Sequence, residues 1–341
     1  MTTKTNKLFL EASELLKKFS SWVIFTHKKS DGDAIGSACA LIEVGINSGK
    51  NIKWYSPDSQ APKAYEFLDA LKYFTPFEKN LEFNDSNVLY VFLDCANEYR
   101  SVQGFPSDTE AREKINVLNV DHHEDNSLFG NVNCVDGKSS STCEMLFNVF
   151  SLGNWTLNKK IAECLYTGIY TDTGGFAFSS TSPETHKIAA HLIELGINSG
   201  TMTDLITQNK TLQSFLLWSR ALQRVKVFGL NNVFAISWLG LKDFQETGAE
   251  STETEGLPNM LMTLSSVKMI VLVTESKPNL IRASFRSRPG LNFTAGEVAR
   301  IFGGGGHEQA AGATLNQNNE SLEECVKNIE ILLLQKLKWL V

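Results

Sequence analysis

The chain has little that would tie it to duplex nucleic acid, a membrane or a disulfide scaffold. Its 32 lysines and arginines are outnumbered by 38 aspartates and glutamates, for a formal charge of −6. A long footprint on duplex nucleic acid needs a basic face, so that class is disfavoured. A small phosphate-bearing ligand needs only a few local cations and stays open. The six cysteines (Cys39, Cys95, Cys134, Cys143, Cys164, Cys325) are scattered without a CxxC pair, which suggests neither a zinc knuckle nor a disulfide framework. Free thiols fit a reducing cytoplasm, the expected location. The stretch MTTKTNKLFLEASELLKKFSSW has no apolar core of the secretory-signal kind. The most apolar tail, IEILLLQKLKWLV (329–341), is short and interrupted by Lys336 and Lys338. It reads as an amphipathic helix packed on the body, not a membrane span. No internal repeat or low-complexity segment stands out.

What is present is an α/β pattern. At 341 residues, two domains of ordinary size are favoured, and 42% hydrophobic content is enough for a core in each. Apolar runs of buried-strand type occur at WVIF (22–25), NVLYVFLD (87–94) and INVLNVD (115–121), with helical patterns at 8–19, 34–49 and from Asn158 onward. Strands alternating with helices imply a parallel sheet with right-handed crossovers. The pattern starts afresh near 225, with strands at 232–239, 268–275 and 280–288 and helices near 255–265 and at 294–302. The expected organisation is an N-terminal parallel-sheet domain over 1–200, a helical connector over 201–224, and a smaller C-terminal α/β domain over 225–341. A cleft between the domains is expected.

Ligands of parallel sheets sit outside the carboxyl ends of the strands, and there the chain places four polar clusters. HKKSDGD supplies His27, Asp31 and Asp33; FLDCANEYR supplies Asp94 and Arg100; VDHHEDN supplies Asp121, His122 and His123; TDTGGF supplies Asp172. Each has an ordinary reading alone. DGD is a common surface turn, Asp94 could cap a helix, adjacent histidines are often solvent-exposed, and TDTGG reads as a helix stop. Together they are harder to dismiss. Asp31, Asp33, Asp94 and Asp172 gathered in one crevice would repel one another unless compensated, and two divalent cations supply the compensation. Imidazole mixed with carboxylate suits Mn²⁺, Fe²⁺, Co²⁺ or Zn²⁺ better than Ca²⁺. A pair of such ions is the arrangement used for displacement at phosphorus. His186 and His191, five residues apart on a helix pattern, are read as structural. Cys95 and Cys143 are read as small packing residues, and Phe215 and Trp218 as core contacts.

These four clusters, in this order, resemble the motifs of the DHH phosphoesterase family. FGGGGHEQAAGATL (302–315) resembles the glycine-rich signature of its DHHA1 members. GAESTETEGLPNML and RASFRSR are similar to segments of the short-oligoribonuclease and pAp-phosphatase branch, termed NrnA-like. The similarity runs from about residue 20 to 335. It implies that His27, Asp31 and Asp94 bind one metal ion and Asp33, Asp94, His122 and Asp172 a second, with Asp94 shared. It implies manganese as the usual metal. It places Asp94, His123 and Asp121 in the catalytic group, His123 facing the substrate phosphate and Asp121 orienting a histidine.

On the substrate side the resemblance implies Arg100, His123, Arg286, Ser287 and His307, with Gly304, Gly305 and Gly306 closing their backbone on a phosphate or base. Arg282, Arg286 and Arg288 alternate, so a strand would set them on one face. The expected activity is hydrolysis of short oligoribonucleotides and pApA-type dinucleotides to mononucleotides, and of 3′-phosphoadenosine 5′-phosphate to AMP. Alternatives are a single-stranded DNA exonuclease or cyclic-dinucleotide phosphodiesterase of the same family, or a non-catalytic nucleotide sensor. The expected partners are short RNA or a small nucleotide, with no long duplex and no membrane; a homodimer is left open.

Overall fold

A computed structural model describes residues 3–77, 81–102, 105–106, 109–207, 210–315 and 320–338. The chain divides into two compact units, Met1–Asn209 and Lys210–Val341.

The first unit begins with α1 (Thr3–Lys18), β1 (Ser21–Phe25), α2 (Gly32–Asn47), β2 (Asn51–Ser56) and β3 (Phe74–Pro76). It continues with β4 (Val88–Leu93), α3 (Thr109–Glu113), β5 (Asn116–Asp121), β6 (Val132–Val135) and α4 (Thr142–Leu152). It closes with α5 (Lys159–Asp172), α6 (Pro183–Glu194) and α7 (Ser199–Thr207). All six strands are parallel, in the order β3-β2-β1-β4-β5-β6. Because side chains alternate along a strand, β1 sends Trp22 and Ile24 to one face and Val23 and Phe25 to the other. The first pair joins the core beneath α1, α2, α4 and α5, with Ile35, Leu41, Leu146 and Leu165. The second pair joins an aromatic cluster in which Phe92 lies 4.8 Å from Phe25 and 5.0 Å from Phe129 between ring centroids. Burial on both faces explains why the strands read as continuous apolar runs.

The second unit holds α8 (Leu212–Gln223), β7 (Lys226–Phe228), β8 (Phe234–Leu239), α9 (Leu241–Thr247) and α10 (Leu257–Leu261). After these come β9 (Met269–Lys277), β10 (Leu280–Ser287), α11 (Ala295–Ile301), β11 (Gly305–Gly306), β12 (Ala310–Thr314) and α12 (Leu322–Lys338). Its sheet runs β11-β12-β10-β9-β8-β7, antiparallel except for the β8–β9 pair. α12 buries Cys325, Val326, Ile329 and Leu333 on this core, as its amphipathic pattern suggests; residues 339–341 lie outside the described residues. Among the described residues no helix is long and apolar enough to cross a membrane.

The stretch read as a connector divides: α7 packs on α5, and α8 packs on α9 and β8. Phe215 is not a core contact. It is 62% exposed, because the buried stripe of α8 is set by Ser214, Leu217 and Ala221. Trp218 is partly buried against that stripe's core, and its indole N–H donates to Glu253 O.

Candidate metal centre

Sheet order determines where the polar residues meet. From β1 the chain passes outward through β2 and β3, then begins β4 on the other side of β1. The order therefore reverses between β1 and β4, which is where an open parallel sheet leaves a crevice at its carboxyl edge. His27 follows the end of β1, Asp94 follows β4 directly, and Asp121 ends β5. Asp94 has a φ of 59°, in the left-handed region that side chains other than glycine enter at a cost of roughly 1–2 kcal/mol. Its N–H donates to Val120 O at 3.0 Å, so the backbone turns abruptly at the crevice. Asp94 caps no helix; Asp31 does, its Oδ1 accepting from the N–H groups of Asp33 and Ala34 at the start of α2.

Two groups of donor atoms result. In one, His27 Nε2 lies 3.3 Å from Asp94 Oδ2 and 3.8 Å from Asp31 Oδ1. His27 Nδ1 is 3.0 Å from Lys28 O and donates there, which directs Nε2 at the carboxylates. In the other, His122 Nε2 lies 3.4 Å from Asp172 Oδ2, 3.6 Å from Asp94 Oδ1 and 3.9 Å from Asp33 Oδ2. Asp94 thus turns one oxygen to each group. The ligand atoms of His27, Asp31 and Asp94, and those of Asp33, His122 and Asp172, each lie within 4.8 Å of one another.

The electrostatics show what such a cluster needs. Burial, reinforced by the charge of Asp94, pushes Asp33 up to about 7. Burial likewise drives Asp172 well above the usual carboxylate range. Burial pulls His122 down, but Asp172, Asp94 and Asp33 outweigh it and push the ring up to about 10. His27 is raised in the same way: burial opposes, and Asp31 and Asp94 prevail. Burial would raise Asp94 too, but the hydrogen bond from His27 and the nearby histidine charges hold it far below the usual range. The aspartates therefore stay charged only where positive charge faces them, and protons on the histidines are one source of it. Divalent cations are another, and the mixed imidazole and carboxylate donors fit them. No thiolate competes, because burial pushes the Cys95 and Cys143 thiols well up.

Asp121 and His123 stand beside these groups. His123 Nδ1 lies 2.7 Å from Asp121 Oδ1 and 3.6 Å from Asp94 Oδ1. Arg100 is exposed on a short turn, and its carbonyl accepts from Lys28 N–H at 2.8 Å, fastening the turn to the His27 loop. His186 stacks on Phe176 with 5.4 Å between centroids, and His191 packs edge-on against Phe147 at the same distance. Asp172 is the last residue of α5; Gly174 and Gly175, at φ of 59° and 69°, end the helix. The helix stop and the placement of Asp172 are one feature.

Several contributions have no counterpart in the sequence reading, in which Cys143 is only a small packing residue. Thr142 and Cys143, at the start of α4, donate backbone N–H groups to Asp33 Oδ2 and Oδ1 at 2.7 and 2.9 Å. Asn126 donates to Asp121 Oδ2 at 2.6 Å. Lys28 is an exposed cation next to His27. One signal was available: Ser141-Thr142-Cys143-Glu144 fits the S-x-x-E pattern of a helix start, and Ser141 Oγ does accept from Glu144 N–H at 3.0 Å.

In the second unit, Arg286 donates from Nε to Asn259 Oδ1 at 2.9 Å and from Nη1 to Phe285 O at 3.0 Å. Arg282, Ser284 and Arg286 share the more open face of β10. Arg288 does not join them: the strand ends at Ser287, and the Arg288 guanidinium bonds to Met262 O instead. Ser287 is buried, its hydroxyl donating to Glu308 O and accepting from Ala295 N–H. A Cβ at Gly304 would lie 2.1 Å from Gly312 O, and Gly306 has a φ of 134°. The pairing of β11 with β12 therefore already requires glycine at both positions. Gly305 faces open space, and His307 is exposed.

Comparison with known proteins gives matches along most of the chain. Residues 21–169 match the DHH family N-terminal domain and residues 231–334 match the DHHA1 domain. A Thermus thermophilus protein named bifunctional oligoribonuclease and PAP phosphatase NrnA is 30% identical over 308 residues, which cover 89% of this chain and 87% of that one. A Bacillus subtilis protein of the same name is 27% identical over 321 residues, covering 91% of this chain and 95% of that one. The solved structure of an exopolyphosphatase-related protein from Bacteroides fragilis superposes with a TM-score of 0.84 at 23% identity, covering 99% of this chain and 98% of that one. At that identity the likeness speaks for the fold.

Proposed function

Because the chain belongs to the DHH family and carries a DHHA1 domain after its DHH domain, we propose that it is a metal-dependent phosphoesterase acting on short oligoribonucleotides and on 3′-phosphoadenosine 5′-phosphate. The substrate classes follow the names of the Thermus and Bacillus relatives. The observation that carries the chemistry is Asp94, which turns Oδ2 to His27 and Oδ1 to His122.

His27, Asp31 and Asp94 would hold one divalent ion, and Asp33, Asp94, His122 and Asp172 a second, with manganese as the expected metal. When bound, such a pair lowers the pKa of a water near phosphorus and stabilises charge developing on phosphoryl oxygens. The chain's own residues do the rest. Burial would lower the His123 pKa, but the Asp121 hydrogen bond and the Asp94 charge raise it; the protonated ring, held through Nδ1, can then donate from Nε2 to a phosphate oxygen. Arg100 and Lys28 offer cations at the rim, and a guanidinium can grip a phosphate through two parallel hydrogen bonds. Arg286, steadied by Asn259, offers another on the second unit. In this reading residues 1–200 carry the metals and residues 225–341 select the substrate. The six cysteines are free and buried, which fits a reducing cytoplasm.

The test is a product time course with Mn²⁺ on 5′-labelled RNAs of graded length, with 3′-phosphoadenosine 5′-phosphate alongside. Mononucleotides from the shortest RNAs, AMP and phosphate from the second substrate, and no turnover in chelator are expected. Binding with turnover at background would identify a sensor instead.

A further inference from the structure

Residues 139–144 supply no predicted metal ligand, yet they touch three of them. Ser139 O accepts from His122 Nδ1 at 3.4 Å. The N–H groups of Thr142 and Cys143 take both oxygens of Asp33. Thr142 Oγ1 donates to Asp94 Oδ1 at 3.2 Å. The segment is itself latched. Glu144 Oε2 accepts from Ser140 Oγ at 2.6 Å and from Thr185 Oγ1 at 2.7 Å, the latter at the start of α6. Ser139, Ser140, Ser141, Thr142 and Glu144 are all buried, so these bonds are made away from competing water and are costly to leave unmade.

Thr142 holds a particular place in this network. It is a single residue bonded to two carboxylates, Asp33 through its N–H and Asp94 through its hydroxyl. A carboxylate oxygen has about two acceptor sites. On Asp94 Oδ1 the hydroxyl occupies one, leaving the other for a cation on the His122 side, while Oδ2 faces His27. Without that bond the Asp94 carboxylate is held only from the His27 side, through Oδ2, and Oδ1 loses its fixed direction toward the second donor group.

We propose that Thr142 is a positioning residue for the metal pair, with residues 139–144 forming a clamp that sets Asp33, Asp94 and His122 at a fixed spacing. The proposal rests on the metal-centre reading above and adds a residue that is wholly buried behind the predicted ligands. Outer partners of metal ligands typically contribute about 10–100-fold in metal affinity or activity, and that range is expected here.

The test compares wild type with Thr142→Val and Thr142→Ser by calorimetric titration with Mn²⁺, by kcat and KM at saturating Mn²⁺, and by thermal unfolding in chelator. Thr142→Val keeps the shape and the backbone N–H but removes the hydroxyl. It is expected to bind the pair about 10–100-fold more weakly and to lower kcat with little change in KM. Thr142→Ser restores both. Thr142→Ala, which removes the same donor, carries the same expectation should Val at that position disturb folding. Wild-type metal affinity in the Val and Ala variants, or a Ser variant no better than Val, overturns the proposal. A wild-type chain that binds Mn²⁺ but turns over no substrate would sink the phosphoesterase reading instead, and the titrations would still decide the role of Thr142.

Discussion

His123 donates from Nδ1 to Asp121 Oδ1 across 2.7 Å, and Asp121 is wholly buried. Asn126 holds the other oxygen of that carboxylate at 2.6 Å. The pair fixes the direction of the His123 ring and favours its protonated form against the opposing effect of burial. Asp121→Asn would let an amide present either its oxygen or its NH₂ to the histidine. Kcat is expected to fall about 100-fold or more, the usual scale for a misplaced donor to charge developing in the transition state, with two metal ions still bound. Rate measurements with metal analysis on one preparation check this; parallel loss of metal would give Asp121 a different role.

Asp94→Ala removes the carboxylate that faces both donor groups. Activity is expected to vanish on RNA and on 3′-phosphoadenosine 5′-phosphate alike, and calorimetry should find neither ion bound at its wild-type affinity. Loss of activity on only one of the two substrates would mean that the centre is not shared between them.

Metal binding should strengthen as pH rises. Asp33, pushed up to about 7, and His122, pushed up to about 10, hold protons that a cation must displace. The stability these two groups give the metal-free fold is fully present below their unfolded values, near 4 and 6.5. It is lost as pH rises through about 7 for Asp33 and about 10 for His122. The thermal shift produced by Mn²⁺ should therefore be larger at pH 8.5 than at pH 5.5. A shift independent of pH would contradict protonated ligands in the metal-free state.

Arg286→Ala should raise KM roughly 10–100-fold, the scale of one charge-assisted hydrogen-bonding group, and leave Mn²⁺ affinity unchanged. Arg100→Ala should behave similarly. His307→Ala should also weaken substrate binding more than metal loading. Substrate titration beside metal titration separates the two effects, and comparable loss of metal would contradict the assignment.

Gly304→Ala should destabilise the second unit by about 1–3 kcal/mol, since its Cβ would press on the Gly312 carbonyl. A melting curve lowered by several degrees is expected. An unchanged melt would show that β11 yields easily.

The sequence made the first sheet legible because strands buried on both faces leave unbroken apolar runs, and each such run ends in a polar residue at the crevice. Asp94 and Asp121 could be placed that way. The α4 start was harder to see: Ser141 and Glu144 carry the pattern of a helix start, but Glu144 turns to Ser140 and Thr185, not back to the cap. Backbone donors such as the Thr142 and Cys143 N–H groups leave no residue-type signature at all. β6, β3 and β11 are too short to show periodicity. The GGGG run was visible, but its cause was not, because close approach of β11 to β12 and a ligand-binding turn both call for glycine. Period two placed Arg288 with Arg286, and only the strand end at Ser287 separates them.

The most direct test is a crystal of the protein soaked in Mn²⁺, with the ions located by anomalous scattering. Two ions about 3.5–4 Å apart, both touched by Asp94, one also by His27 and Asp31 and the other by Asp33, His122 and Asp172, are predicted. A single ion, or ions that leave Asp94 uncoordinated, would contradict the account.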